Sequence, residues 1–573
     1  MNNKIILLGI ITFFVLNGCK QLDQEIITTY NYNQVTKSYD ITKLRCYGIY
    51  YSLKSGFLVL DNQAMLASAS DESEHTQERN SVYKFNVGAW NAYDNPDGGA
   101  WTESFQAIRR ANLFLSSSDS VDLDLYKYDP LPASQIVYNT RKAEINNWKY
   151  EVRFLRAYFY FELIKRYGGV PIQTSVSTIN DDLTNIKRNS LEECVRFVTS
   201  ECDSAAKVLP EIYSINDDIG RATKGAALAL KSRALLYAAS DLFNSPAAWA
   251  PGFSKPELIS VSGDRKAKWK AAADAAKAVI DLKGAGYSLA DYNSLFSSTN
   301  FNNTEVIFRK AEGSSNNFEI NNTPIGFDRG QSGTTPSQNL VDDYEVIIDA
   351  NTSVPFDWSN TKHTANPYAK RDPRLAYTVL TNNTVLKGRP IEAWYGGLDG
   401  KPKDMASKTG YYLNKYVNTG LDLLQNRTSN HAWVIFRLAE MYLNYAEALN
   451  EADPGNPDIK KYVDLVRKRI GVNMPALPSG LSQPQMRDAI RHECRVEFAF
   501  EDHRLWDVRR WMLGSSCFNV PLRGVNINKN ADGAFIYEVF NVENRVFESK
   551  MYLYPIPQSE LFIAKDWVQN PLW

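Results

Sequence analysis

Apolar residues recur along this chain with the period of helices, in long runs set apart by polar stretches. Ile41 to Leu53 predicts a first helix and Trp101 to Leu115 (WTESFQAIRRANLFL) a second. Ala143 to Tyr167 predicts a long third helix, stopped by Gly168-Gly169 with Pro171 just beyond. Leu191 to Leu209, followed by Pro210, continues the series. So do Thr223 to Phe243, rich in Ala for close approach, and Lys266 to Leu282, ended by Gly284. Trp433 to Leu449, Ile459 to Ile470 and the segment Arg487 to Trp511 make the last helices. Expected strands are few: Glu305 to Arg309, Ala376 to Leu380 and Phe535 to Phe540. Sequential helix pairs with Ala and Tyr at packing positions resemble tetratricopeptide repeats, and AEMYLNYAEAL looks like the first helix of one. The period of roughly 34 residues is not kept. The fold expected is mainly α: divergent tetratricopeptide-like helix pairs with long loop insertions and a few short strands.

Two polar intervals interrupt the helices. Asn62 to Pro96 is rich in Asn, Ser and Gly, and Tyr287 to His431 is mostly loop with scattered aromatics. Loops held by a rigid frame carry function disproportionately. The N-terminus has a different pattern. Lys4 precedes the apolar run Ile5 to Leu16, which is a secretory signal in form and too short to span a bilayer comfortably. The run ends Leu16-Asn17-Gly18-Cys19, similar to a bacterial lipobox with Cys19 as the acylated residue.

Composition narrows the classes. With 64 basic and 65 acidic residues the chain lacks the excess of Lys and Arg that nucleic-acid binding needs, so no nucleic-acid partner is expected. Its 32 Tyr, 26 Phe and 12 Trp suit either helix packing or flat faces for sugars. Six cysteines show no CxxC pair and no metal-ligand spacing. Cys194 and Cys202, on one expected helix, stand about 12 Å apart along its axis, too far for a disulfide. Apart from Cys19, the cysteines are expected to be buried small apolar residues.

The densest chemistry lies in Arg487 to Trp511 (RDAIRHECRVEFAFEDHRLWDVRRW). Glu493, Glu497 and Glu501 recur every four residues, with neighbouring Cβ atoms about 5–6 Å apart on a helix. Two carboxylates can hydrolyse a glycosidic bond at roughly 5–9.5 Å. Like charges in such a ladder repel unless partners are supplied, and within the helix only Arg504 is well placed. Arg437 is the obvious donor from elsewhere, with Glu497 its expected partner. The ladder is therefore expected to be a structural ion-pair network of Arg437, Glu493, Glu497 and Glu501, with no catalytic residues. His492-Glu493 is no zinc motif, because Val496 stands where HExxH needs a second His. His492 and His503 are expected to cap or to pair with carboxylates.

Ordered motifs over nearly the whole mature chain resemble the SusD/RagB family of outer-membrane nutrient-binding lipoproteins of Bacteroidetes. They are WTESFQAIRRANLFL, VRFLRAYFYFELIKRYGGVPI, RATKGAALALKSRALLYAASDLF, RDPRLAYTVL, FRLAEMYLNYAEALNE, IRHECRVEFAFEDHRLWDVRRW and YLYPIPQSEL. The chain ends QNPLW where the family usually reads QNPGY. The resemblance implies a lipoprotein signal over residues 1–18, an acylated Cys19 with a tether over 19–40, and one SusD-like domain over 41–573. That domain has an N-terminal part to about 265 and a RagB/SusD C-terminal part from 266. It further implies a cell-surface protein that delivers a glycan ligand, or peptides in some branches, to a partner TonB-dependent (SusC-like) transporter. No enzyme activity and no cofactor are implied; some members bind calcium.

Ligand contacts are sought in the loops. A sugar offers an apolar face to an aromatic ring and hydroxyls to Asp, Asn and Arg. The first polar interval holds Asp71, Arg79, Trp90 and Asn91, where family members often place ligand contacts; the second holds Trp358, Trp394 and Tyr395. Trp90 and the Trp394-Tyr395 pair are the foremost candidates, Trp249 a weaker one. A surface glycosidase and a purely structural helical adaptor are the readings outside this family.

Overall fold

A computed structural model describes residues 31–60, 63–77, 81–176, 178, 181, 185–213, 218–297 and 303–573. The signal segment and Cys19 lie outside the described residues, as does Arg79. The principal helices are α1 (Tyr39–Tyr50), α2 (Gly99–Ser117), α3 (Pro132–Tyr167), α4 (Leu191–Ala206), α5 (Lys224–Ala239) and α6 (Arg265–Ile280). After a long interval come α7 (Leu438–Ala452), α8 (Pro457–Arg467), α9 (Gln483–Glu497) and α10 (Arg504–Arg510).

Local chemistry sets several helix ends. Ser190 accepts from the Glu193 N–H at 3.2 Å while Glu193 accepts from the Ser190 N–H at 2.9 Å, so two free donors at the start of α4 are satisfied at once. α3 stops at Gly168, whose φ of +73° an L side chain adopts only with strain. A Cβ there would lie 2.4 Å from the Leu258 carbonyl oxygen, and one on Gly169 would lie 2.2 Å from that of Asn189. The two glycines thus let the chain turn against neighbouring backbone.

Each helix packs on the next in sequence, from α2 through α7, and α7 then meets α8 and α9. Small residues make this possible. Ala239 on α5, Ala272, Ala273 and Ala276 on α6, and Ala439 and Ala446 on α7 share one buried cluster with Trp269 and Leu443. The larger core runs from Cys46 to Ile556, so the parts on either side of residue 265 are built into a common interior.

Several expected elements change. The apolar run at Trp433 begins not as helix but as strand: β2 (Ser429–Arg437) pairs antiparallel with β1 (Val306–Ser315), and α7 starts only at Leu438. A second hairpin joins β3 (Pro521–Lys529) to β4 (Phe535–Asn544). Residues 374–378 are a short helix, leaving only Val379–Leu380 as strand in that segment. The expected helix through Arg487–Trp511 is two helices, α9 and α10, because Phe500 and Asp502 take φ of +61° and +59°. The first polar interval is not a surface loop throughout. Ser68, Ser70, Glu72, Ser73, Glu74, His75 and Thr76 are buried, and Ser73–His75 pairs with Thr334–Pro336. Cys46, Cys194, Cys202 and Cys494 are buried, whereas Cys517 is half-buried. No helix among the described residues is long and apolar enough to cross a membrane.

Candidate functional site

The charged segment comes first, because it decides where function can lie. Arg437, 1% exposed at the β2–α7 junction, donates to Glu497 at 2.6 Å, to Glu501 at 2.7 Å and to Glu305 at 2.8 Å. Arg374 bridges Glu493 at 2.6 Å and Glu497 at 2.8 Å. Arg469 lies 2.9 Å from Glu305 and 3.2 Å from Glu497, Arg467 lies 3.0 Å from Glu493, and Lys415 lies 2.7 Å from Glu501. Burial alone would raise the Glu497 carboxyl; Arg469, Arg437 and Arg374 together outweigh it and hold the group well below the usual carboxylate range. Burial pushes the Lys415 ammonium down to about 8 against the pull of Glu501. Glu493 and Glu497 are fully buried and Glu501 is 6% exposed. A carboxylate sealed and held by guanidiniums can neither meet a substrate nor exchange a proton with one. The segment is a cross-brace that ties β2, α7, α8 and α9 to the short helix that Arg374 opens.

Arg504, expected to serve Glu501, instead grips Asp71 with two bonds of 2.8 Å, because the turn at Asp502 redirects it. The histidines also differ from expectation. His492 Nε2 lies 2.7 Å from the Asp343 carbonyl oxygen. His503 stacks on Phe498 at 4.4 Å, and burial followed by the nearby arginines holds its pKa well below the usual value.

Of the loop candidates, those in the first interval are drawn inward. Asp71 sits between Arg504 and Arg495, the latter at 3.0 Å. Burial would raise its carboxyl, but the two guanidiniums keep it at about 2. It is therefore a structural anion, not a free sugar contact. Trp90 is 3% exposed, boxed by Phe85, Tyr554 and Trp573 at 4.9, 5.2 and 4.6 Å between ring centroids. That packing removes it from any ligand surface. Asn91 is exposed, but its side-chain oxygen accepts from the N–H groups of Tyr93 (2.8 Å) and Asp94 (3.2 Å) and so shapes its own turn. Trp249 is buried, its indole N–H on the Leu242 carbonyl.

The second interval gives a different picture. Trp358 is half-buried, and its indole N–H donates to Asp342 at 2.9 Å. Trp394 is half-buried beside Tyr395, which is 63% exposed. Both lie on the turn Trp394-Tyr395-Gly396-Gly397-Leu398-Asp399-Gly400. The Tyr395 N–H donates to the Ile527 carbonyl on β3 at 2.8 Å, and the Gly397 N–H donates to that of Trp394 at 2.8 Å. Asp399, fully buried, accepts from Arg389 at 2.8 Å and from the Glu392 N–H at 2.8 Å. A Cβ on Gly400 would lie 2.0 Å from the Trp394 carbonyl oxygen, so only glycine closes this loop. Lys529 on β3 stands 5.0 Å from the Trp394 ring centre. The result is an aromatic pair on a loop whose shape is set in the free protein. Reading the residues alone missed Asp399, Arg389 and Lys529. The glycine spacing after Trp394 was the available sign of a tight turn.

Comparison with known proteins follows the same lines. A model of the SusD family matches residues 304–573, and a second, described as "Starch-binding associating with outer membrane", matches residues 48–236. SusD-like protein P2 of Formosa agariphila is 21% identical over 485 residues, covering 82% of this chain and 79% of that protein. A SusD-like protein of Bacteroides ovatus is 22% identical over 505 residues, 84% of this chain and 81% of the other. Among solved structures, a SusD-like protein from Bacteroides fragilis is 28% identical with a TM-score of 0.76, covering 94% of this chain and 98% of that one. A laminarin-binding SusD-like protein shares the fold at 20% identity and a TM-score of 0.63, over 94% of this chain and 100% of its own.

Proposed function

Because the chain belongs to the SusD/RagB family, we propose that it binds oligosaccharide or polysaccharide at the cell surface and delivers it to a partner TonB-dependent, SusC-like transporter. In this reading it is held at the outer membrane by a lipid on Cys19. The observation that carries the glycan reading is the Trp394–Tyr395 loop. The backbone that carries its exposed ring is held by Gly397, Asp399, Gly400 and β3 before a ligand arrives, so little loop ordering opposes stacking of a sugar face. Trp358, on its Asp342 hydrogen bond, is a second aromatic surface in the same interval. The starch-binding description of one matching family model and the laminarin-binding neighbour support carbohydrate as the ligand class. Binding without turnover is the expected mode, since the ladder carboxylates are occupied by the brace.

The test is migration of the protein through native gels that hold a panel of neutral polysaccharides. Retardation by at least one, without release of reducing sugar, is expected, and Trp394→Ala with Tyr395→Ala should abolish it. Equal retardation of the double variant would remove this loop from the site. Free migration of the wild-type protein through every gel would overturn glycan binding.

A further inference from the structure

A cavity of about 300 Å³ opens between the first turns of α2, the loop after α3 and the C-terminal segment. Small-ligand sites run from roughly 300 to 1,000 Å³, so it holds a compact group rather than a long chain. Its floor is aromatic. Trp101 lies 4.9 Å from Phe105 and 6.1 Å from Trp567, centre to centre. Phe105 and Trp567 are half-buried and turn part of their surface to the cleft.

What distinguishes this cleft is which polar groups are already engaged. The indole N–H groups of the floor are. Trp567 donates to the Ile186 carbonyl at 2.6 Å, and Trp101 bonds the Glu560 carboxylate. These bonds fix both rings and leave only their apolar faces and edges to offer. The polar side chains of the walls are not engaged in the same way. Arg109 is exposed and has no ion-pair partner among the described residues. Glu560 is half-buried with no cation beside it there, and burial raises its carboxyl despite the Trp101 bond. Gln173 lines the same space, and its hydrogen bonds with Asn112 and Tyr160 use its backbone, not its side-chain amide. Around Glu497, by contrast, buried acids and arginines are paired at every turn. A guanidinium, a carboxylate and an amide left over an aromatic floor provide donors and acceptors in balance with no net charge. That is the complement of a sugar ring, which has an apolar face and a rim of hydroxyls that both donate and accept.

We infer that this cleft is a second glycan site, which seats a neutral sugar unit on Trp567 and Phe105 with its hydroxyls on Arg109, Gln173 and Glu560. It goes beyond the reading of the Trp394–Tyr395 loop and does not require that loop to be a site, since different elements build the two. A chain long enough to touch both would gain by multivalent attachment, and a short one would discriminate between them.

Hydrogen–deuterium exchange of the whole protein with maltohexaose, laminarihexaose, xylohexaose or mannohexaose tests it. One hexaose should protect residues 101–112 and 558–567. In the variant carrying Arg109→Ala and Glu560→Gln, that protection should weaken about tenfold in apparent affinity, as expected for two lost polar contacts. The thermal midpoint should move little, because Arg109 is exposed and the amide oxygen that replaces the Glu560 carboxylate can still accept from Trp101. Protection confined to residues 392–401 overturns the second site and leaves glycan binding standing. No protection anywhere overturns both. Unweakened protection of the cleft in the double variant overturns the assignment of Arg109 and Glu560. Protection of the cleft by trialanine and by none of the hexaoses overturns it in favour of a peptide terminus.

Discussion

Replacing Arg437 with Met tests whether the charged segment is a brace. Met keeps most of the stem and removes the charge from a position 1% exposed. Breaking a buried ion pair by removing one partner costs about 3–5 kcal/mol, because the other charge stays buried without its counterpart. Here each abandoned carboxylate keeps a second cation: Arg469 for Glu305, Arg374 and Arg469 for Glu497, and Lys415 for Glu501. That sharing puts the expected loss at the lower end, about 3 kcal/mol. At about 2.1 cal/mol/K per residue, 573 residues give an unfolding entropy near 1.2 kcal/mol/K, so the melting temperature should fall by only about 2–3 °C. Urea unfolding followed by tryptophan fluorescence is the sharper assay. Acid adds a signature. The Glu497 carboxyl is depressed in the folded state, so its contribution is present above the unfolded value, about 4.3, and is lost as pH falls through the folded one. With Arg437 gone the depression shrinks, so the acid limb of the stability curve should move to higher pH. Glu497→Gln added to Arg437→Met should cost less than the two changes summed. A loss below about 1 kcal/mol with an unmoved acid limb would be surface-pair behaviour and would refute the brace.

Trp90→Ala should cost about 3–5 kcal/mol by leaving a cavity beside Tyr554 and Trp573, while migration in polysaccharide gels stays that of wild type. Gly400→Ala should weaken glycan retardation by about tenfold or more, since its Cβ would meet the Trp394 carbonyl at 2.0 Å and force the loop to shift. Burial raises the Asp502 carboxyl to about 7, with Glu162 adding to the rise and Lys165 and Arg166 opposing it. The folded protein therefore holds that proton more tightly than the unfolded chain, and the site destabilises increasingly as pH rises from about 4 to about 7. Asp502→Asn should accordingly raise the unfolding free energy, read from urea curves, by at least about 1–2 kcal/mol at pH 8 and by less at pH 5. Cys19→Ala should shift the protein from the membrane fraction to the soluble fraction of lysed cells, and continued sedimentation with membranes would refute lipid anchoring.

The helices were legible because α4 and α6 carry a helical apolar period, α5 is rich in Ala, and Gly168 announces the stop of α3, although α3 starts at Pro132, eleven residues before the expected Ala143. The misreadings have local causes. WVIF at residues 433–436 suits a strand or a helix equally, and the choice was made by pairing with Val306–Ser315, more than a hundred residues earlier. No glycine or proline marks the junction at Arg437. The break between α9 and α10 likewise falls on Phe500, which rarely takes a positive φ, and Asp502, which takes one more readily but marks it less plainly than glycine. The first polar interval reads as surface because its composition is polar. Its groups are satisfied from far away, Asp71 by Arg504 and the carbonyls of Ser68 and Ser73 by Arg545. Such partners, more than 400 residues distant, leave no trace in a local window.

The brace and the aromatic loop are parts of one construction. Arg374, which joins Glu493 to Glu497, opens the short helix that runs directly into Val379–Leu380. That strand pairs with Tyr412–Leu413, and Leu380 and Tyr412 share a small core with Phe327, Leu386 and Ile391. The Tyr412 hydroxyl then donates to the Asp399 carbonyl, inside the loop that presents Trp394 and Tyr395. A route of direct contacts therefore leads from the buried charges to the exposed ring. A buried ion network is a poor source of net stability, since well-packed apolar residues often do as well. It is a good source of definition, because each guanidinium accepts only one arrangement of its carboxylates. The arginines of the brace come from the short helix before Val379, from β2, from α8 and from the turn just after it. Fixing their mutual register fixes the base on which the loop at 392–401 stands. The segment richest in reactive side chains is thus a frame: it holds still the loop proposed to meet the ligand.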